Sequence, residues 1–412
     1  MLTLSAQWIV PVTGRPIRHG FVTVDSDGRI QAVGERSPQH ATSLGHVALM
    51  PSLVNAHTHI ELSFLHGLVP PSSSFNEWVT SMMAIRRESA PDPTAAAIVD
   101  AAQRAVIRAR ATGTGLIGDV SNTLTSVGVL RDASLPAHVF HELLGFNLTD
   151  VPGRVAQARS AIDNWDIDRD RIRISLAPHA PYSVSPALFQ AIRYDLDAHR
   201  HPVTSVHLGE SAQEIALLRD GTGPARSMLE RLGVWTDAWK PPGVSPVVYL
   251  MDLGFLDART LVVHGVQFEP DDLARLRTIG ATVVSCPRSN AYVGVGSPPL
   301  AAFYESGVDV AFGTDSLASV ADLNMFNELA EARRVAPDVA AQRLLESATL
   351  IGARALGFGS ELGSIEAGKR ASLLAVRVPE GVFDVEEYLV AGVEPDAIMW
   401  LDATTPLIHA RE

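Results

Sequence analysis

Cysteine is almost missing: the chain has 412 residues and a single thiol, Cys286. One cysteine forms no disulfide within the chain and excludes any zinc site built on several thiolates. Lysine is nearly as scarce, with only Lys240 and Lys369, so arginine carries almost all the positive charge. No apolar run reaches the ~18 residues of a membrane span, so no membrane partner is expected. The segment MLTLSAQWIVPVTGRPIRHG has no basic start followed by a long apolar core. No signal peptide is therefore expected, and the expected location is cytoplasmic. Basic runs are absent too. With 33 basic against 46 acidic side chains and a net charge of −13, the surface offers no stripe to track phosphates. A nucleic-acid partner is not expected.

What is present reads as a globular enzyme, with 46% hydrophobic residues. Eight short apolar runs alternate with Ala/Arg/Glu-rich helical stretches: LMPSLVNAH, GTGLIGDVSN, PAHVFHELLG, RIRISLAPHA, PVTSVHLGES, TLVVHGVQF, ATVVSCPRSN and VDVAFGTDS. Strands alternating with helices imply a parallel sheet, and eight units make a (β/α)8 TIM barrel the expected α/β fold. Residues 49–357 are its expected extent. Residues 1–48 and 358–412 carry short strands with turn signals, and are expected to form one small discontinuous β-sandwich domain. The Pro/Gly/aromatic stretch WTDAWKPPGVSPVVYL, residues 235–250, is expected to be an insertion that is either a lid or wall of the site or a packed loop.

Two H-x-H pairs occur, and spacing alone does not separate them. His199 and His201 follow a helical pattern, LFQAIRYDLDA, and precede Pro202. Cations suit the end of a helix, so that pair is expected to be solvated. His57 and His59 end a strand, where residues i and i+2 project from one face. His207, His264 and Asp315 end three further strands, on the same rim if the strand count holds. Neutral imidazoles with a carboxylate suit one divalent ion, Zn²⁺ or Fe²⁺. Glu210 lies three residues after His207, with Gly209 allowing the turn, in the place of a general acid–base group.

The motifs NAHTH, HLGE, VVHG, CPRSN and GTDS, together with GSIEAGKRASLLAV, resemble the amidohydrolase superfamily over nearly the whole chain. Their order is similar to the purine-related deaminase branch: S-adenosylhomocysteine, methylthioadenosine and aminodeoxyfutalosine deaminases, with triazine chlorohydrolases as relatives. The resemblance implies that His57, His59, His207 and Asp315 bind a single metal ion. It also implies that Glu210 shuttles protons, that His264 positions water with Asp315, and that His179 in APHAPYS lies on the substrate side. Binuclear relatives bridge two metals with a carboxylated lysine at the fourth strand end. Neither lysine stands at a strand end here, which leaves one metal.

Hydrolytic deamination of a 6-aminopurine nucleoside is the implied reaction, with a small molecule as partner and a homodimer as the assembly considered. Nucleoside deaminases of this branch commonly place a ribose-binding glutamate where this chain has Arg87, with Arg86 beside it. Arg87 and Arg288 are therefore candidate contacts to a substrate carboxylate, with Asn290 and Ser316 as further substrate contacts. Aminodeoxyfutalosine, whose benzoate wants an arginine, is the leading substrate. Adenosine, methylthioadenosine and S-adenosylhomocysteine come next, then a triazine-type leaving group. A non-catalytic protein stabilised by a metal is the alternative of another class.

Overall fold

A computed structural model describes residues 1–89, 92 and 95–401; residues 402–412, the end of the expected β-domain, lie outside the described residues. The chain divides into two compact units. Met1–Asn55, Arg108–Leu116 and Asn324–Glu412 form one; Ala56–Ile107 and Ile117–Leu323 form the other.

In the first unit, one sheet is ordered Ile30–Gly34, Phe21–Val24, Leu2–Ser5, Thr42–Ser43. A second sheet joins the two ends of the chain: Val47–Pro51 pairs antiparallel with Leu373–Arg377 and parallel with Trp8–Ile9. Ile9, Leu49, Leu373 and Ala375 from this sheet share one buried cluster with Val22, Val24 and Ile30 from the other. Removing that apolar surface from water is what holds the short strands together, since strands of two to five residues carry few ladder bonds of their own.

The eight apolar runs form eight strands. They are β1 (Leu53–Thr58), β2 (Thr114–Ser121), β3 (Ala137–Leu143), β4 (Ile172–Pro178), β5 (Thr204–Leu208), β6 (Thr260–His264), β7 (Thr282–Ser285) and β8 (Asp309–Phe312). β1 and β2 pass from one unit into the other. The strands fall into two four-stranded sheets, ordered β4-β3-β2-β1 and β5-β6-β7-β8, and the registered pairs are parallel. Almost every residue in them is buried, which is why they read as continuous apolar runs instead of alternating ones: parallel strands are covered on both faces. Helices lie between them. The PDDLARLRTIG segment forms Pro270–Ile279 and stops at Gly280, whose φ of 81° suits glycine. No helix among the described residues is long and apolar enough to cross a membrane.

Backbone bonds also run between the sheets at their outer strands. His207 N–H, in β5, donates to the His179 carbonyl just past β4 (2.9 Å), and Asp315 N–H, past β8, donates to the His57 carbonyl in β1 (3.0 Å). The second contact is tight. A Cβ added to Gly313 would stand 2.7 Å from both the Cβ and the carbonyl oxygen of His57. Only glycine lets β8 approach β1 so closely. Gly313→Ala is therefore expected to destabilise the fold by at least about 1–3 kcal/mol, read as a lower midpoint in urea; an unchanged midpoint would show that the two strand ends are not held this close.

Candidate metal centre and active site

The strand ends bring the histidines to one point. His57 lies near the end of β1 with its side chain fully buried, and His59 follows just past the strand. The Nε2 atoms of His59 and His207 stand 3.3 Å apart. Asp315 Oδ1 lies 3.8 Å from His57 Nε2 and 3.6 Å from His59 Nε2. Ligand atoms of His57, His59 and His207 all fall within 4.8 Å of one another. Two nitrogens bound to one tetrahedral ion at ~2.0–2.1 Å would be separated by about 3.3–3.4 Å.

Electrostatics point the same way. Burial, and then the neighbouring imidazoles, push His57 well below the usual histidine range, and burial pushes His207 down to about 4. Neutral rings keep the lone pairs that a cation needs. His207 Nδ1 bonds the His179 carbonyl (3.1 Å), which can only accept, so the free lone pair is on Nε2, facing His59. Neither ring nitrogen of His57 has a hydrogen-bond partner among the described residues. A buried imidazole left that way is costly unless something binds it. The donor set therefore fits a divalent N/O-binding metal ion.

Asp315 is gripped from several sides. Its backbone is held at φ 61°, in the left-handed region that few residues other than glycine, asparagine and aspartate adopt. Oδ2 accepts from Ser289 Oγ (2.7 Å) and Ser319 Oγ (3.3 Å), and Oδ1 accepts from Ser316 N–H (2.7 Å). His264 is also at positive φ, 78°. Its Nε2 stands 3.5 Å from Glu210 Oε1. Its Nδ1 receives the Asn290 amide N–H at 3.0 Å, which leaves the ring proton on Nε2, on the Glu210 side. Glu210 is buried, and burial followed by the charges of Asp315 and Glu214 pushes its carboxyl well above the usual range. That suits a group that delivers a proton.

Residues expected to contact substrate divide. His179 adjoins the centre: its ring lies 5.0 Å from that of His207 and its Nδ1 is held by Ser183 Oγ at 2.6 Å. Asn290 is buried; its Nδ2 bonds His264, and its Oδ1 has no hydrogen-bond partner among the described residues. Ser316 supplies its backbone N–H to Asp315. Arg87 is exposed on α1 (Phe75–Ser89). One residue is about 100° around a helix, and it is Arg86 that reaches the buried Glu61, at 3.6 Å. Arg288 is also taken up: Nη1 bonds Asp322 Oδ1 (2.9 Å) and Nη2 its carbonyl (3.0 Å). It ties the start of the Pro287–Tyr292 helix to the Asp322 loop, so both its terminal nitrogens are engaged.

The other sequence features resolve simply. His199 Nδ1 bonds the Asp195 carbonyl at the end of Pro186–Asp197, and His201 is not in a metal-binding group among the described residues. Lys240 bonds the Asp237 carbonyl, and Lys369 pairs with Glu366. Cys286 is buried. In the 235–250 insertion, Trp235 and Trp239 pack on Phe146 with ring centroids 5.8 and 5.4 Å apart, so it is a packed wall beside the loop leaving β3.

Several buried carboxylates were not expected. Glu61 accepts from Ser121 Oγ, Asn122 N–H and Thr123 N–H and Oγ1, at 2.7–3.1 Å. Glu214 accepts from the backbone N–H groups of Gly209 (3.0 Å) and Glu210 (3.3 Å), fixing the turn that carries Glu210. The signal for Glu214 was there: S-x-x-E over Ser211–Glu214 marks a helix start. Glu142 was visible only as a polar residue ending an apolar run.

Comparison with known proteins adds independent findings. The amidohydrolase family model matches residues 48–396. The chain is 30% identical over 349 residues to an aminodeoxyfutalosine deaminase of Deinococcus radiodurans, spanning 81% of this chain and 79% of the relative. It is 28% identical to a 5-methylthioadenosine/S-adenosylhomocysteine deaminase of Saccharophagus degradans, over 91% and 83%. In structure it is similar to an adenosine deaminase from Xanthomonas campestris solved with bound zinc: TM-score 0.81, 27% identity, covering 98% of this chain and 92% of that one.

Proposed function

The chain belongs to the amidohydrolase family and is a hydrolase of carbon–nitrogen bonds, and from that premise we propose that it deaminates a 6-aminopurine nucleoside. The observation that carries this reading is the meeting of His57, His59, His207 and Asp315 beside a buried Glu210 and His264. We take these four as the ligands of one divalent ion, zinc by preference and iron as the alternative. On this reading the two parallel sheets are halves of a closed (β/α)8 barrel over residues 49–357, and the terminal segments form a β-sandwich.

The chemistry supplied by a bound ion of this kind is activation of water at neutral pH, the pKa of water being lowered towards ~7. The chain's residues supply the rest. Asp315, with one oxygen held by two serines, keeps the other towards the centre to accept a proton. His264, with its proton on Nε2, donates a hydrogen bond and orients the attacking oxygen. Glu210 protonates the ring nitrogen beside the amino-bearing carbon, which makes that carbon electrophilic, and later helps protonate the amine. Oxygen bonds to the carbon, the carbon–nitrogen bond breaks, and ammonia leaves with the proton. His179, beside His207, lies on the substrate side.

The leading substrate is aminodeoxyfutalosine, supported by the Deinococcus relative, with Arg87, exposed on α1, as the candidate contact to its carboxylate. A second reading is favoured by a specific observation: Arg86 and Arg288 are both engaged by carboxylates of the chain. That suits a nucleoside without a benzoate, such as methylthioadenosine or adenosine.

Ammonia release separates these readings. The panel is aminodeoxyfutalosine, S-adenosylhomocysteine, methylthioadenosine, adenosine and an aminotriazine. The highest kcat/KM is expected for aminodeoxyfutalosine; preference for methylthioadenosine selects the second reading, and no turnover of any purine by zinc-loaded protein sinks both. Glu210→Gln is expected to keep its metal while kcat falls by about 10²–10⁴-fold. Near-normal turnover would remove Glu210 from the proton path.

A further inference from the structure

Glu142, near the end of β3, is buried, and nothing in the reaction above uses it. Its two oxygens are treated differently. Oε2 accepts from Asn122 Nδ2 at 2.8 Å, and the same amide reaches the Glu142 carbonyl at 3.4 Å. Oε1 has no hydrogen-bond partner among the described residues and stands 3.5 Å from His207 Nδ1. A buried carboxylate oxygen without a partner is expensive unless a positive or polarised group faces it. The group it faces is the far nitrogen of a ring whose other nitrogen points into the centre.

We propose that Glu142 is a positioning residue that holds His207 as a metal ligand, with Asn122 as its anchor. The proposal rests on the reading of His207 as a ligand. When a cation draws electron density from Nε2, the Nδ1–H becomes more positive. The Glu142 carboxylate then strengthens its hold on that proton alongside the His179 carbonyl, and the ring becomes a better donor. Asn122 fixes the carboxylate from the other side. Its backbone N–H donates to Glu61 Oε1 at 3.0 Å while its side-chain amide holds Glu142. Glu61 is itself tied to Ser121 and Thr123. Hydrogen bonds thus run from Glu61, two residues past His59, through Asn122 just past β2, to Glu142 near the end of β3, whose free oxygen faces His207 Nδ1 in β5 at 3.5 Å.

The test is zinc affinity, measured on metal-free protein by competition with a chromophoric chelator. Glu142→Gln is expected to bind zinc about 10- to 100-fold more weakly than the wild type, with a shifted visible spectrum after cobalt loading. Its metal-free form is expected to melt at the wild-type temperature, separating ligand loss from misfolding. Asn122→Ala is expected to weaken zinc in the same direction by less, and carries the test should Glu142→Gln not fold. Wild-type zinc affinity in both variants overturns the proposal; with a raised KM alone, Glu142 is a substrate contact. Unchanged zinc binding by His207→Ala overturns the ligand reading beneath it, a different failure.

Discussion

The hydrogen bond from Asp315 N–H to the His57 carbonyl, 3.0 Å long, is the contact on which the centre depends. It sets the end of β8 against β1, so that the one carboxylate in the proposed donor set faces His57 and His59. Gly313 makes the approach sterically allowed, and the left-handed backbone at Asp315 turns its carboxylate inward. Such a conformation costs of order 1–3 kcal/mol and persists only where neighbours over-determine it. Ser289, Ser316 and Ser319 do so here.

Around that contact the problem is burial of polar groups. Several imidazoles and carboxylates share a small volume at the strand ends, and burial drives the rings towards neutrality while pushing Glu210 and Asp315 up. Such a cluster has no reason to exist as packing; apolar side chains would fill the same space at less cost. The surrounding bonds satisfy what the centre does not use. Asn290 takes one nitrogen of His264, Ser183 one nitrogen of His179, and Glu214 the backbone of the Glu210 turn. The two nitrogens of His57 have no hydrogen-bond partner among the described residues, and the ring lies beside those of His59 and His207.

Much of this is legible in the residues. The eight parallel strands are visible as apolar runs because both faces of each are covered, and the pairing of His57 with His59 follows from the two-residue period of a strand. The scarcity of lysine carries information that a motif cannot, since Lys240 and Lys369 are both engaged away from the strand ends. Helix faces are less legible. Arg86 and Arg87 are adjacent in sequence, and only the placement of α1 decides which turns towards Glu61. Arg288 reads as an anion contact until Asp322, distant in sequence, occupies it. Glu142 and Glu61 look like ordinary strand-end polar residues, because burial and partners come from other strands.

The central claim is one metal ion held by three imidazoles and a carboxylate. X-ray absorption at the metal edge of the zinc-loaded protein tests it most directly. A single ion so held has nitrogen and oxygen neighbours at about 2.0–2.1 Å, outer-shell scattering from about three imidazole rings, and no sulfur. A second metal at roughly 3.5–4 Å, or a shell without imidazole scattering, would contradict it.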